Sequence, residues 1–321
     1  MSYKSVWDFG REGKANYGVH AIGEYPSKIR PIVFSIVVDR FSERGDVILD
    51  PFCGSGTLAV EAKIQGRNSI NYDINPYAVK LAQKKLSALD KSEMISMTRE
   101  LLEEYKKELK KAEKKFERIQ IEKEIKKLEG RLREIKENED YCNTFHIIEV
   151  QDARNLPLEN ESIDAIITDI PYANMIKYSD IPEDLSTIDD YELFLKELEK
   201  CTNEMWRVLR RGKYCVIFCA DHRIAASRKI LPVHVDVVNM MRNIGFTLFD
   251  IYIWRYYRSG GFRPFGKPPY QAMNLHIYIL VFYKPVGNEV NRMNRPIRYR
   301  PRLVEKLKKS KVEETSLQDF C

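Results

Sequence analysis

Apolar residues recur along the chain in two alternating rhythms. Runs of strand length appear at "DVILD" (Asp46–Asp50), "SINYD" (Ser69–Asp73), "TFHIIEV" (Thr144–Val150) and "IDAIITD" (Ile163–Asp169). Three more lie at "KYCVIFCA" (Lys213–Ala220), "FTLFDIYIW" (Phe246–Trp254) and "LHIYILVFYK" (Leu275–Lys284), which makes seven predicted strands. Segments of helical period lie between them. Thr57–Gly66 is closed by its glycine and Pro76–Leu86 is opened by its proline. A long amphipathic stretch begins at Tyr191 and is expected to stop at Arg210-Arg211-Gly212, a basic last turn followed by glycine. This alternation predicts a doubly wound α/β fold around a mostly parallel sheet.

Two segments break the rhythm. Lys91–Glu139 is dominated by Lys and Glu, with apolar residues at Leu102, Tyr105, Leu109, Ala112, Phe116 and Ile119 in heptad spacing. A second seam, Ile121, Ile125, Leu128, Leu132 and Ile135, is out of phase with the first, so the helix shifts face or folds into a hairpin. The reading favoured is a charged helical insertion packed on itself or on the domain; the alternative is an arm for self-association or DNA contact. The other break is Val286–Lys311, with nine Lys/Arg against two acids. Such a tail is either a disordered solubilising end or a nucleic-acid contact. The expected plan is therefore an N-terminal segment and first part of the α/β domain (1–90), the insertion (91–140), the rest of that domain (141–285) and the basic tail (286–321).

Composition narrows the class. With 321 residues, 44% of them hydrophobic, the chain can bury the core of one large or two modest domains. Neither a signal-peptide pattern nor a long uncharged apolar run is present, so no membrane span is expected. Six cysteines without CxxC spacing predict neither a zinc site nor a disulfide framework and fit the reducing cytoplasm. The net charge of +6 favours a polyanionic partner only weakly by itself.

Candidate chemistry collects at the predicted strand ends. "DPFCGSGT" places Asp50, Pro51, Phe52, Cys53, Gly54, Ser55, Gly56 and Thr57 between the first strand and its helix, where α/β sheets bind ligands. Glycines permit close backbone approach, and a helix N-terminus offers N–H groups to an anion. The spacing is neither GxGxxG nor GxxxxGK[ST], which argues against a dinucleotide pyrophosphate and against ATP. A ligand with a cationic and an anionic end, like an amino acid, suits an acid beside a glycine cradle. Asp73, closing the second strand, is placed to take a ribose diol. The fourth strand ends on "TDIPY", an acid followed by a rigid ring and an aromatic face.

These motifs resemble those of the S-adenosylmethionine-dependent DNA amino-methyltransferases of restriction-modification systems, which act on cytosine N4 or adenine N6. "DPFCGSGT" and "GRNSINYDINPYAV" resemble their cofactor-binding segments, and "TDIPYANMIKYSD" resembles their catalytic motif. "SVWDFG" and "GVHAIGEYPSKIRP" are similar to the N-terminal segment that completes the cofactor pocket in one archaeal and bacterial branch. The resemblance covers about residues 5–88 and 145–285 and implies a Rossmann-like methyltransferase sheet. It further implies S-adenosylmethionine held by Asp50–Thr57, with Asp73 on the ribose and Asp152 near the adenine. Asp169, Ile170, Pro171 and Tyr172 become the catalytic residues, with Tyr172 stacking on the target base. Ile170 stands where the family usually has a first proline, and Ala173 where relatives often have tryptophan. No Pro-Cys dipeptide occurs, against the covalent mechanism of cytosine-C5 methylation.

"RYYRSGGFRPFGKPPYQAMN" (Arg255–Asn274) interleaves basic and aromatic residues between the last two strands. Arg255, Tyr256, Arg258, Phe262, Arg263, Lys267 and Tyr270 are the expected nucleic-acid contacts, although a lid over the cofactor would use similar residues. Expected partners are double-stranded DNA, or RNA as the alternative substrate, and a cognate restriction endonuclease. A catalytically silent DNA-binding relative is the non-enzymatic alternative.

Overall fold

The structure, a computed structural model, describes residues 5–8, 17–26, 29–172, 176–223, 229–255 and 276–287. The chain divides into two units, Met1–Val286 and Gly287–Cys321. The first unit contains the strands β1 (Val6–Asp8), β2 (Val47–Asp50), β3 (Asn68–Asp73), β4 (His146–Val150), β5 (Ile163–Asp169), β6 (Leu209–Cys219), β7 (His222–Arg223), β8 (Ile230–Leu231), β9 (Thr247–Arg255) and β10 (His276–Tyr283). Its α-helices are α1 (Pro31–Phe41), α2 (Thr57–Ile64), α3 (Pro76–Ser87), α4 (Lys91–Lys111), α5 (Lys115–Glu137), α6 (Tyr191–Val208) and α7 (Val233–Ile244).

The main sheet runs β1-β9-β10-β6-β5-β2-β3-β4, and β7 and β8 form a separate antiparallel pair. Among the described strands of the main sheet, only β10 runs against its neighbours. All seven predicted strands are there, and the mostly parallel expectation holds. The eighth is β1, three residues of the "SVWDFG" segment that extend the edge beside β9, too short to signal itself by periodicity.

Strand alternation assigns the two faces of the sheet. Leu49, Ile166, Cys215 and Ile217 pack on one face with Phe194, Leu198, Met205, Val237 and Met241 of α6 and α7. Ile48, Ala165, Ile167, Val216 and Phe218 pack on the other with Val33, Phe34 and Val37 of α1 and Leu58 of α2. Chain order runs β2, β3, β4 towards one edge and β5, β6 towards the other. The adjacent strands β2 and β5 therefore form the topological switch point where a crevice opens.

The charged segment is a helical hairpin, α4 and α5, turned at residues 112–114. The phase break in the heptads thus belongs to the turn, earlier than the seam spacing suggests. Ile119, counted with the first seam, lies on the outer face of α5 and is 40% exposed. Leu101, Leu102, Tyr105, Ile121 and Leu128 are buried in the same cluster as α1. Asp39 on α1 pairs with Lys127 and, at 3.6 Å, with Arg131, and Arg131 also donates to Gln65 Oε1 at 3.1 Å. The hairpin is one wall of the core.

α6 differs from expectation at its end. It stops at Val208, and Arg210-Arg211-Gly212 belong to β6. The register of β6 on β5 shifts just there, Gly212 takes φ +78°, and its N–H donates to Lys284 O at 2.7 Å. The glycine serves a strand irregularity rather than a helix stop. No helix among the described residues is long and apolar enough to cross a membrane.

Two substitutions on α5 test the hairpin's place in the core. Leu128→Ala is expected to lower unfolding free energy by about 2–4 kcal/mol, and Ile119→Ala to change it by under about 0.5 kcal/mol. Urea unfolding of both variants decides; equal, small effects would mean that the hairpin does not share the core.

Candidate functional site

β2 delivers Asp50, β3 delivers Asp73 and β5 delivers Asp169 to the carboxyl edge of the sheet. A cleft lined by polar and apolar residues opens there. Of the predicted cofactor residues, Asp50, Pro51, Phe52, Cys53, Gly54, Ser55, Thr57, Asp73 and Asp152 line it. Gly56 stands behind, at the N-cap of α2 with φ +78°, where a Cβ would fall 2.5 Å from that of Ala82. Helices α2 and α3 approach each other too closely there for any side chain. Gly54 also has positive φ, and a Cβ on it would stand 3.0 Å from the Tyr25 ring.

Hydrogen bonds set the loop on the strand ends. Cys53 N–H donates to Tyr72 O at 2.8 Å, and Gly54 N–H donates to Asp73 Oδ2 at 2.8 Å. Asp73 Oδ1 accepts Asn75 N–H at 2.9 Å. Asp50 Oδ1 accepts the Thr168 hydroxyl at 2.6 Å and Phe52 N–H at 3.2 Å. Burial outweighs these bonds and raises the Asp50 carboxyl to about 7 and that of Asp73 to about 6. Burial also pushes the Cys53 thiol up, which makes it a poor nucleophile. Both oxygens of Asp152 are gripped by the Arg154 guanidinium at 2.6–3.0 Å, and Arg154 reaches Glu197 on α6 at 2.8 Å. An adenine amino group would meet a carboxylate already paired with a guanidinium.

The catalytic candidates divide. Asp169 and Pro171 line the cleft. Ile170 is 1% exposed and its side chain packs in the core with Leu49 and Ile217, so apolar packing holds the backbone where proline's ring would otherwise stiffen it. Tyr172 is 4% exposed, packs in that same cluster, and donates its hydroxyl to Asp169 Oδ1. The exposed stacking face expected of Tyr172 is therefore turned inward in this conformation. Burial holds the Asp169 carboxyl well above the usual carboxylate range, the Tyr172 hydrogen bond opposes this, and the Asp50 charge adds to it. Ala173 and the nucleic-acid candidates Tyr256, Arg258, Phe262, Arg263, Lys267 and Tyr270 lie outside the described residues; Arg255 closes β9 with an exposed side chain.

Sequence reasoning missed several lining residues. Tyr25, Pro26 and Ile29 belong to the N-terminal stretch expected to complete the pocket, in which no residue is singled out, and Phe34 follows it on α1. Ile74 and Gln151 are chain neighbours of Asp73 and Asp152 and could have been inferred from them. Tyr178, late in the catalytic segment, and Asp184 and Leu185 beyond it carry no periodic or spacing signal. Tyr178 stacks on Tyr25 at 5.9 Å between ring centroids, and its carbonyl accepts Asn75 Nδ2 at 3.1 Å. Among the described residues no cluster of His, Cys, Asp or Glu could hold a metal ion.

The profile of the RMKL-like methyltransferase domain matches residues 35–240, about two-thirds of the chain, with the glycine loop and the Asp169 turn inside it. The chain belongs to that methyltransferase family. A DNA methylase profile of the N6/N4 type matches residues 163–319, in line with the resemblance to DNA amino-methyltransferases. The Type II methyltransferase M.MjaII of Methanocaldococcus jannaschii is 35% identical over 94 residues, 28% of this chain and 18% of its own. The Type II methyltransferase M2.DpnII of Streptococcus pneumoniae is 38% identical over 66 residues, 21% of this chain and 25% of its own. The chain thus spans about a quarter or less of the length of these relatives. A SAM-dependent methyltransferase of Methanosarcina mazei superposes with a TM-score of 0.43 and 14% identity, covering 78% of this chain and 97% of that one.

The buried acids make ligand binding pH-dependent. A cation bound beside Asp50 favours its ionised form, whereas the ligand-free group is half protonated near pH 7. Below pH 7 binding must expel that proton, so affinity for S-adenosylmethionine is expected to rise about tenfold between pH 6 and pH 8. Calorimetry at pH 6.5 in buffers of different ionisation heat measures the proton released; zero release would exclude Asp50 as the cation's partner.

Proposed function

We propose that this chain transfers a methyl group from S-adenosylmethionine to the exocyclic amino group of cytosine (N4) or adenine (N6) in DNA. The observation that carries the reading is the meeting of two motifs, distant in sequence, in one cleft. The glycine loop after β2 and the Asp169–Pro171 turn after β5 both line it. The residues fit the cofactor: acids at 50 and 73 for its cationic and diol groups, and a glycine cradle whose backbone at Gly54 disfavours any side chain. The DNA methylase profile over residues 163–319 supports DNA as the substrate.

When bound, S-adenosylmethionine supplies an electrophilic methyl group. The protein's task is the amine, whose lone pair is delocalised into the base and is a poor nucleophile. Asp169 accepts one amino hydrogen, and the main-chain carbonyl at Ile170 accepts the other, which localises the lone pair on nitrogen. Burial of Asp169 makes its carboxylate a stronger base, suited to taking the proton that the amine loses after transfer. Tyr172 now holds Oδ1 of that carboxylate, so a base using this oxygen displaces the phenol. The segment Arg255–Asn274 and the tail 286–321 are the proposed DNA contacts, and a cognate endonuclease is the proposed functional partner.

Incubation with labelled S-adenosylmethionine and genomic DNA, total tRNA and rRNA, followed by nucleoside mass spectrometry, tests the substrate. N4-methylcytosine or N6-methyladenine in DNA is the expected product, and label confined to RNA would overturn the reading. Asp169→Ala should reduce transfer by roughly 100-fold or more while leaving cofactor affinity within about threefold. An unchanged rate would remove Asp169 from the chemistry.

A further inference from the structure

Lys85, on α3, is fully shielded from solvent. An amino group in such a place needs polar partners, since burial without them is costly. Its Nζ donates to Ser55 Oγ at 2.9 Å, and Ser55 is a lining residue of the cleft with 3% exposure. Three residues earlier on the same helix face, Ala82 closes the space behind Gly56. Helix α3 therefore backs the glycine loop at two successive positions. Ala82 excludes a side chain, and Lys85 holds a hydroxyl.

The hydroxyl's polarity follows from that bond. Serine has one O–H to donate and lone pairs to accept. With a lysine N–H on its oxygen, Ser55 keeps its own hydrogen for a further acceptor, and the donated bond polarises it in that direction. The loop also leads into the N-terminus of α2, where N–H groups favour an anion. Asp50 and Asp73, the acids of the same cleft, suit the ligand's cationic and diol groups instead.

We propose that Lys85 is a positioning residue that commits Ser55 to donate to the carboxylate of the cofactor's amino-acid end, without touching the ligand itself. The inference rests on the S-adenosylmethionine reading of the cleft. It separates the amino-acid end from the nucleoside end, and two ligands exploit the difference. S-adenosylhomocysteine carries the carboxylate, whereas 5′-methylthioadenosine has the same nucleoside and sulfur without it.

Calorimetric titration of the full chain with both ligands, for wild type and Lys85→Met, is the test. Lys85→Met is expected to weaken S-adenosylhomocysteine on the order of tenfold or more and methylthioadenosine by less than about twofold. Ser55→Ala removes the donating hydroxyl itself, and must show the same selective loss. The double variant should lose no more than the larger single one, because both act through one hydroxyl. Equal loss of both ligands in Ser55→Ala, or no loss of either, overturns the inference. A wild type that binds neither ligand removes the cofactor reading itself, an outcome distinct from variants that lose both alike.

Discussion

The hydrogen bond from Thr168 Oγ1 to Asp50 Oδ1, buried and 2.6 Å long, ties the end of β5 to the end of β2. These are the strands between which the winding of the sheet reverses, and the cleft exists because their following loops diverge. The bond sets the glycine loop and the Asp169 turn against one another. It also brings a third acid into a site already holding Asp73. Desolvation then raises all three carboxyls, Asp50 to about 7 and Asp73 to about 6, so these two are poised to exchange protons near neutral pH.

The rest of the molecule supports that edge from outside. Alternating side chains give each central strand two buried faces, one closed by α6 and α7 and the other by α1, α2 and the α4–α5 hairpin. The hairpin's charge is concentrated on its outer surface, while its apolar seam lies against α1. A segment in which about half of the residues are Lys or Glu can therefore still be part of the core. Behind the loop, α3 fixes the approach of the backbone through Ala82 and the orientation of Ser55 through Lys85.

The catalytic turn shows how an unusual residue is accommodated. Ile170 departs from the proline usual in related motifs, yet its side chain finishes the apolar cluster that includes Leu49 and Ile217. The next residue but one, Tyr172, turns into that cluster as well and places its hydroxyl on Asp169. One short turn thus joins the core to the acid, and the acid's basicity is a balance between burial and the phenol that donates to it.

Periodicity alone determined the seven long strands, the α/β class and the places where loops meet the sheet's carboxyl edge. Motif spacing singled out Asp50, Gly54, Asp73 and Asp169, because glycines with positive φ and acids at strand ends are local requirements. Other features depend on which distant surfaces meet, and no local pattern encodes that. β1 is strand only because β9 lies beside it. Arg210–Gly212 extend β6, not α6, because β5 and Lys284 supply the partners there. Tyr25 and Tyr178, about 150 residues apart, become one wall of the cleft only when the segment before α1 and the segment after β5 meet on the same edge. The inward turn of Tyr172 was decided in the same way. An aromatic ring takes the best apolar surface within reach, and only the folded sheet provides it.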